Sequence, residues 1–171
     1  MYTWSSLFLT VPAAAAPVAS WLAAYQGREQ LLGRGLAVLG TWALLNLIAS
    51  GYLLPRTDPR HWLHHFHLMN CGWAFVNAII ATAGILRTHP GHPPAGFTPT
   101  GALGEQAFLV KVFFGNALLD AGYLLVGLWL LRRAAASTTR RPERLLGYGR
   151  SVQLQGAFLL LFDVVMGFLV K

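Results

Sequence analysis

Two aspartates each lie inside a long apolar run. Asp120 belongs to GNALLDAGYLLVG, and Asp163 belongs to LLLFDVVMG. A carboxylate facing lipid costs about 2.5 to 3.5 kcal/mol on insertion scales, so both side chains should turn toward other helices. Two carboxyl groups that meet away from basic residues cannot both stay charged cheaply. These residues therefore suggest a site that binds a proton or a cation.

Three asparagines extend this polar set: Asn46 and Asn77 lie in two other apolar runs, and Asn116 lies one turn before Asp120. At about 1.5 Å per residue, both aspartates lie about 10 to 12 Å below one end of their runs, and Asn77 and Asn46 about 14 and 17 Å. The five residues are predicted to form one buried polar layer. Two interpretations stay open: hydrogen bonding that holds the helices in register, or proton and cation binding.

Histidines crowd the segment PRHWLHHFHLMN at residues 59–70. His61 with His65, or His64 with His67, has the spacing to share a helix face. His64, His67 and Asn70 are predicted as possible ligand-binding residues. No other apolar run contains a histidine, so axial ligands from two helices cannot be assembled. Hydrogen bonding near the membrane surface is expected. Metal at a subunit contact, or haem or pigment held by one ligand, remain alternatives, and no cofactor or metal is predicted.

The composition indicates the elements that position these residues. Hydrophobic residues make up 55% of the 171 residues and charged residues 11%, against about 25% charged in soluble domains. Four apolar runs free of Lys and Arg match a hydrocarbon core of about 30 Å as helices. The predicted fold is an all-α integral membrane bundle, with spans at about 35–54, 66–86, 112–131 and 151–170.

The N-terminal residues 1–30 are rich in alanine and lack the basic start of a secretory signal. An interfacial helix is predicted at about 13–29, with Trp21 and Tyr25 at the level of the lipid headgroups. A fifth span is the alternative. The domain prediction is thus an interfacial segment followed by a four-helix transmembrane domain at 31–171.

The connections between spans are short and their charges are uneven. Segments 55–65 and 132–150 hold eight of the 13 Lys and Arg residues and should face the cytoplasm. Segment 87–111 is rich in Pro and Gly, and an irregular outward loop is predicted there. Because the basic residues flank spans, the net charge of +7 does not indicate nucleic acid as a partner.

Motifs of soluble catalysis are absent from the sequence. It contains no phosphate-binding G-x-x-x-x-G-K-[ST], no H-E-x-x-H and no G-x-S-x-G. The single cysteine, Cys71, lies within the second predicted span, so no disulfide framework can form. The protein is therefore predicted not to be an enzyme.

Several motifs resemble a family of small bacterial four-helix integral membrane proteins of unknown function. They are W-A-x-x-N in the first span, the positions around Asn70, Asn77 and Asp120 in the next two, and GYGRSVQLQGAFLLLFD at 147–163. The resemblance covers about residues 28–166. Its most specific part is carried by Gly147, Gly149, Ser151, Gln155, Gly156, Phe158 and Asp163. It implies a fold and a membrane location, and no activity.

Two functional hypotheses follow from these observations. The first is a non-catalytic accessory or structural subunit of a larger complex in the bacterial inner membrane, with lipids and protein subunits or further copies of the chain as partners. The second is a proton- or cation-linked transporter or channel that uses buried Asp120 and Asp163.

Overall fold

The computed structural model describes residues 15–136 and 138–171. Within them the chain forms four α-helices: α1 (Ala15–Leu53), α2 (Trp62–Arg87), α3 (Pro99–Ala135) and α4 (Pro142–Val170). A 3-10 turn, Leu54–Arg56, follows α1. Each α-helix is long and apolar enough to cross a membrane. The prediction of an all-α bundle with four membrane-spanning helices is therefore confirmed.

Helix α1 differs from the predicted separation of an interfacial helix from the first span. It continues without a break for 39 residues, about 58 Å at 1.5 Å per residue, so it is longer than a hydrocarbon core. Its N-terminal part is tied to other elements: Arg28 forms an ion pair with Glu105 of α3, and Glu29 accepts a hydrogen bond of 2.8 Å from the His89 backbone N–H. Residues 1–14 lie outside the described residues.

The prediction of an irregular loop over 87–111 is wrong for its second half, because α3 begins at Pro99. Proline suits the first helical position, where its missing N–H costs no hydrogen bond. Thr98 caps the helix by accepting a 3.2 Å hydrogen bond from the Gly101 N–H. The capping residues thus outweigh the low helix propensity of the glycines that follow.

Helix α4 is the central element of the bundle. It packs along both α3 and α2, and α1 packs on α2. Glycines permit these close approaches: a Cβ atom at Gly147 would overlap the Trp62 carbonyl oxygen of α2, and one at Gly149 would lie 3.1 Å from the Gly127 carbonyl oxygen of α3. Helices α2 and α3 are not packed closely together along their lengths, which leaves a space between them.

Candidate functional site

The structure brings the side chains of Asp120 on α3 and Asp163 on α4 into contact; these two residues are called the carboxylate pair below. Their carboxyl groups are close enough to interact, and Asn116 lies close to Asp163. Asp120 is 4% exposed and Asp163 is 6% exposed. Oxygen Oδ2 of Asp120 has no hydrogen-bond partner. One carboxyl oxygen in this buried pair is therefore left without a hydrogen bond.

A cavity of about 510 Å³ lies beside the carboxylate pair, between α2 and α3, and residues of α1 and α4 complete its lining. We call it the membrane groove. Ile80, Phe108 and Leu119 line it and are also exposed on the surface of the bundle, so the groove is open sideways. If the helices cross a bilayer, this opening faces lipid.

Three residues that line the membrane groove carry buried polar atoms without a hydrogen-bond partner. Trp73 Nε1, Asn77 Nδ2 and Asp120 Oδ2 are all buried without a hydrogen-bond partner, and all three residues line the groove. Buried polar groups in native proteins are nearly always paired, and the desolvation of an unpaired one costs about 1 to 3 kcal/mol. Two unpaired donors and one unpaired acceptor on residues that line one cavity favour a binding site there.

The lining of the groove is acidic although the chain carries a net charge of +7. Four of the six acidic residues of the sequence line it, Glu29, Glu105, Asp120 and Asp163, with Arg87 as the basic residue. In the part of the chain that the structure describes, Glu29 and Glu105 are ion-paired with Arg28, whereas neither aspartate has a basic partner. The uncompensated negative charge is therefore concentrated at the carboxylate pair.

A second polar cluster is centred on Gln155 of α4, which is 0% exposed. Gln155 Nε2 donates to the Oδ1 atoms of Asn46 on α1 and Asn70 on α2, both at 3.1 Å. Trp42 Nε1 donates to Gln155 Oε1 at 2.9 Å, and Ser151 Oγ donates to Asn70 Oδ1 at 2.7 Å. These five residues form the Gln155 cluster, which joins three helices through hydrogen bonds.

The predicted single polar layer is wrong for two of its members. Asn46 belongs to the Gln155 cluster, and Asn116 is exposed rather than buried, although it reaches Asp163. Gln155 and Asp163 are eight residues apart on α4, so the two levels differ by about 12 Å. Asn77, which is 2% exposed, lies in the groove with the carboxylate pair.

Aromatic side chains separate the two levels. The rings of Trp42 and Phe158 stack with centroids 4.1 Å apart, and those of Trp73 and Tyr123 meet edge to face at 5.0 Å. On α4, Phe158 lies between Gln155 and Asp163 in sequence. Trp73 and Tyr123 also line the groove, so the aromatic layer lies at its inner end.

The structure does not bring His64, His67 and Asn70 to one site. His64 Nδ1 lies 3.4 Å from Thr57 Oγ1, and His67 Nδ1 forms a hydrogen bond of 3.2 Å with Ser50 Oγ. Asn70 belongs to the Gln155 cluster. Within residues 15–136 and 138–171, no three His, Cys, Asp or Glu side chains are grouped for a metal ion. These three residues bind neighbouring protein groups instead.

Sequence reasoning missed Trp73 and Gln155 as members of these clusters. Helical spacing could have found both, because Trp73 precedes Asn77 by four residues and Gln155 precedes Asp163 by eight. Glu29 and Glu105 were missed because both lie outside the predicted spans. Their place at the groove follows from the extension of α1 and α3 beyond those spans.

Comparison with known families places most of the chain in a family. The model of DUF6992, described as a family of unknown function, matches residues 38–164. The chain belongs to DUF6992. This confirms the predicted relation to a family of unknown function. The DUF6992 match contains the carboxylate pair and the Gln155 cluster, but not Glu29. No curated protein and no solved structure is significantly similar to the chain.

Proposed function

We propose that this protein is a proton- or cation-linked membrane transporter whose binding site is the carboxylate pair. The contact between Asp120 and Asp163 carries the proposal. Two ionised carboxylates in contact repel each other, and burial removes the water that would screen them. A shared proton or a bound cation relieves this repulsion, and no Lys or Arg within the predicted spans can replace it.

A transporter fits this arrangement better than an open channel. The membrane groove reaches the carboxylate pair from the end where Glu29, Arg87 and Glu105 lie. The aromatic layer closes the other end, so the polar side chains do not form a continuous path to the Gln155 cluster. A site that is open on one side and closed on the other is the arrangement that alternating access requires.

Ion flux into liposomes tests this proposal. We expect purified native protein to move protons or Na⁺ down an imposed gradient, detected by an internal pH-sensitive or Na⁺-sensitive dye. Asp163→Asn should abolish this flux, because an amide can hydrogen-bond but cannot titrate or carry charge. Asp58→Asn is the matched control, since Asp58 lies in an exposed turn, and it should keep native flux. Equal flux through the Asp163→Asn and native proteins would contradict the proposal.

An accessory subunit is a second candidate, supported by the open side of the bundle. Asn116 lines the groove and is exposed at its open side, and a polar residue at that position favours association with another helix. A transmembrane helix of a partner, or of a second copy, could cover the space between α2 and α3. Neither role requires an enzymatic step or a nucleic acid.

The proposed location is the bacterial inner membrane, with 55–65 and 132–150 on the cytoplasmic side. The eight basic residues of these segments, against five elsewhere, support this orientation. Arg132 and Arg133 lie in the last turn of α3. The open end of the groove would then face away from the cytoplasm.

A further inference from the structure

We propose that the membrane groove binds a lipophilic organic cation: an amine with a long apolar chain and a hydroxyl or carbonyl oxygen near its nitrogen. The ligand would enter sideways from the bilayer and place its ammonium group at the carboxylate pair. This inference rests on the proposed function, because it requires the pair to accept a positive charge. It adds the chemical class of the molecule that carries that charge.

The inner end of the groove recognises the polar head. An ammonium group donates hydrogen bonds to Asp120 Oδ2, the buried acceptor without a partner. The neighbouring aromatic rings of Trp73 and Tyr123 add attraction between the cation and their π-systems. Trp73 Nε1 and Asn77 Nδ2 are donors without acceptors, and an ammonium group cannot satisfy them. An oxygen atom close to the ligand nitrogen would accept hydrogen bonds from these two donors.

The walls of the groove fit an apolar chain. Leu36, Leu39, Val76 and Ile80 are among the apolar residues that line it. Its volume of about 510 Å³ lies within the range of about 300 to 1,000 Å³ for small-molecule sites. The lateral opening allows a chain longer than the groove to extend into the bilayer. A small hydrated ion would leave these apolar walls unused.

Charge decides which amphiphile the groove accepts. At the rim the charges of Glu29 and Glu105 are balanced by Arg28, their ion-pair partner, and by Arg87, so the uncompensated charge lies at the inner end. A fatty acid would bring a third carboxylate to the carboxylate pair, which repulsion opposes. A fatty alcohol would leave the pair without a positive charge. A lipophilic amine supplies both the charge and the chain.

Binding of four amphiphiles of equal chain length to the native protein in phosphatidylcholine nanodiscs, followed by tryptophan fluorescence, tests this inference. We expect sphinganine, a long-chain amino alcohol, to bind saturably and stearylamine more weakly. Stearyl alcohol and stearate should bind at least about tenfold more weakly than sphinganine. Asp120→Asn should weaken sphinganine binding by about tenfold or more. Equal binding of stearate or stearyl alcohol would overturn the inference, because the groove would then recognise only a chain.

Two neighbouring isoleucines provide a matched pair for the walls. Ile80 lines the groove and Ile79 does not, although both are about half exposed, at 51% and 53%. Ile80→Trp should abolish sphinganine binding, whereas Ile79→Trp should keep it. Native ion flux without amine binding would overturn this inference and leave the proposed function standing. Amine binding without ion flux would contradict the transporter instead. A partner helix that shields Ile80 in the isolated complex would also overturn the inference that the groove binds an amine.

Discussion

Gln155→Ala is expected to destabilise the bundle by about 2 to 4 kcal/mol. The substitution removes the partner of the Trp42 indole N–H and a donor to both Asn46 and Asn70. No water is available inside a transmembrane bundle to replace these hydrogen bonds cheaply. It also leaves a cavity at a side chain that is 0% exposed. Reversible unfolding in mixed micelles measures the loss.

Gln153→Ala is the matched control, two residues away on the same helix. Gln153 is half-buried, and its side chain donates one hydrogen bond, of 2.5 Å, to the Leu124 carbonyl oxygen. Its loss should cost less than about 1 kcal/mol, because one polar contact in a membrane protein averages about 0.6 kcal/mol. Equal losses for the two variants would show that the Gln155 cluster does not hold the helices together.

Asp120→Ala and Asp163→Ala should each lower the free energy of unfolding by about 1 to 3 kcal/mol, because each leaves the other residue without its partner. The double variant should lose less than the sum of the two, by about 0.5 kcal/mol or more, since residues in contact are coupled. Asn at either position should have a milder effect on stability, because an amide keeps a hydrogen bond. Unfolding of the four proteins in detergent gives the coupling energy.

A second cycle with a distant aspartate provides the control for additivity. Asp58 lies in the exposed turn before α2, so Asp58→Ala and Asp120→Ala should add within about 0.3 to 0.5 kcal/mol. If the Asp120 and Asp163 substitutions proved equally additive, the two carboxyl groups would not meet in the folded protein.

The membrane spans could be predicted from the sequence because the length of an uninterrupted apolar segment is enough to identify each of them. The meeting of Asp120 and Asp163 could also be anticipated, since both lie at similar distances from the same end of neighbouring helices. The place of Asn46 in another cluster could not be predicted. Its expected depth of about 17 Å differs from the 10 to 12 Å of the aspartates by only one helical turn. Side-chain packing decides such a difference, and the aromatic layer follows from contacts between residues distant in sequence.

The membrane groove could not be predicted at all. It arises because α4 packs on both α2 and α3 while those two helices stay apart, a choice made by glycines such as Gly147 and Gly149. Hydrophobic periodicity does not specify which helices are neighbours. The continuation of α1 through Arg28 and Glu29 could not be predicted either, because charged residues at that position normally indicate the end of a span. Arg28 forms ion pairs with both Glu29 and Glu105, which makes these charges compatible with a continuous helix.

Infrared spectroscopy of the aspartate side chains tests the central claim most directly, that the carboxylate pair holds one positive charge. The chain has three aspartates, so protein labelled with ¹³C-aspartate on an Asp58→Asn background reports on Asp120 and Asp163 alone. At neutral pH, in liposomes without small metal cations, we predict the carbonyl band of a protonated carboxylic acid. Asp163→Asn should change that band, and a bound cation should remove it. Two ionised carboxylates with no cation present would contradict the account.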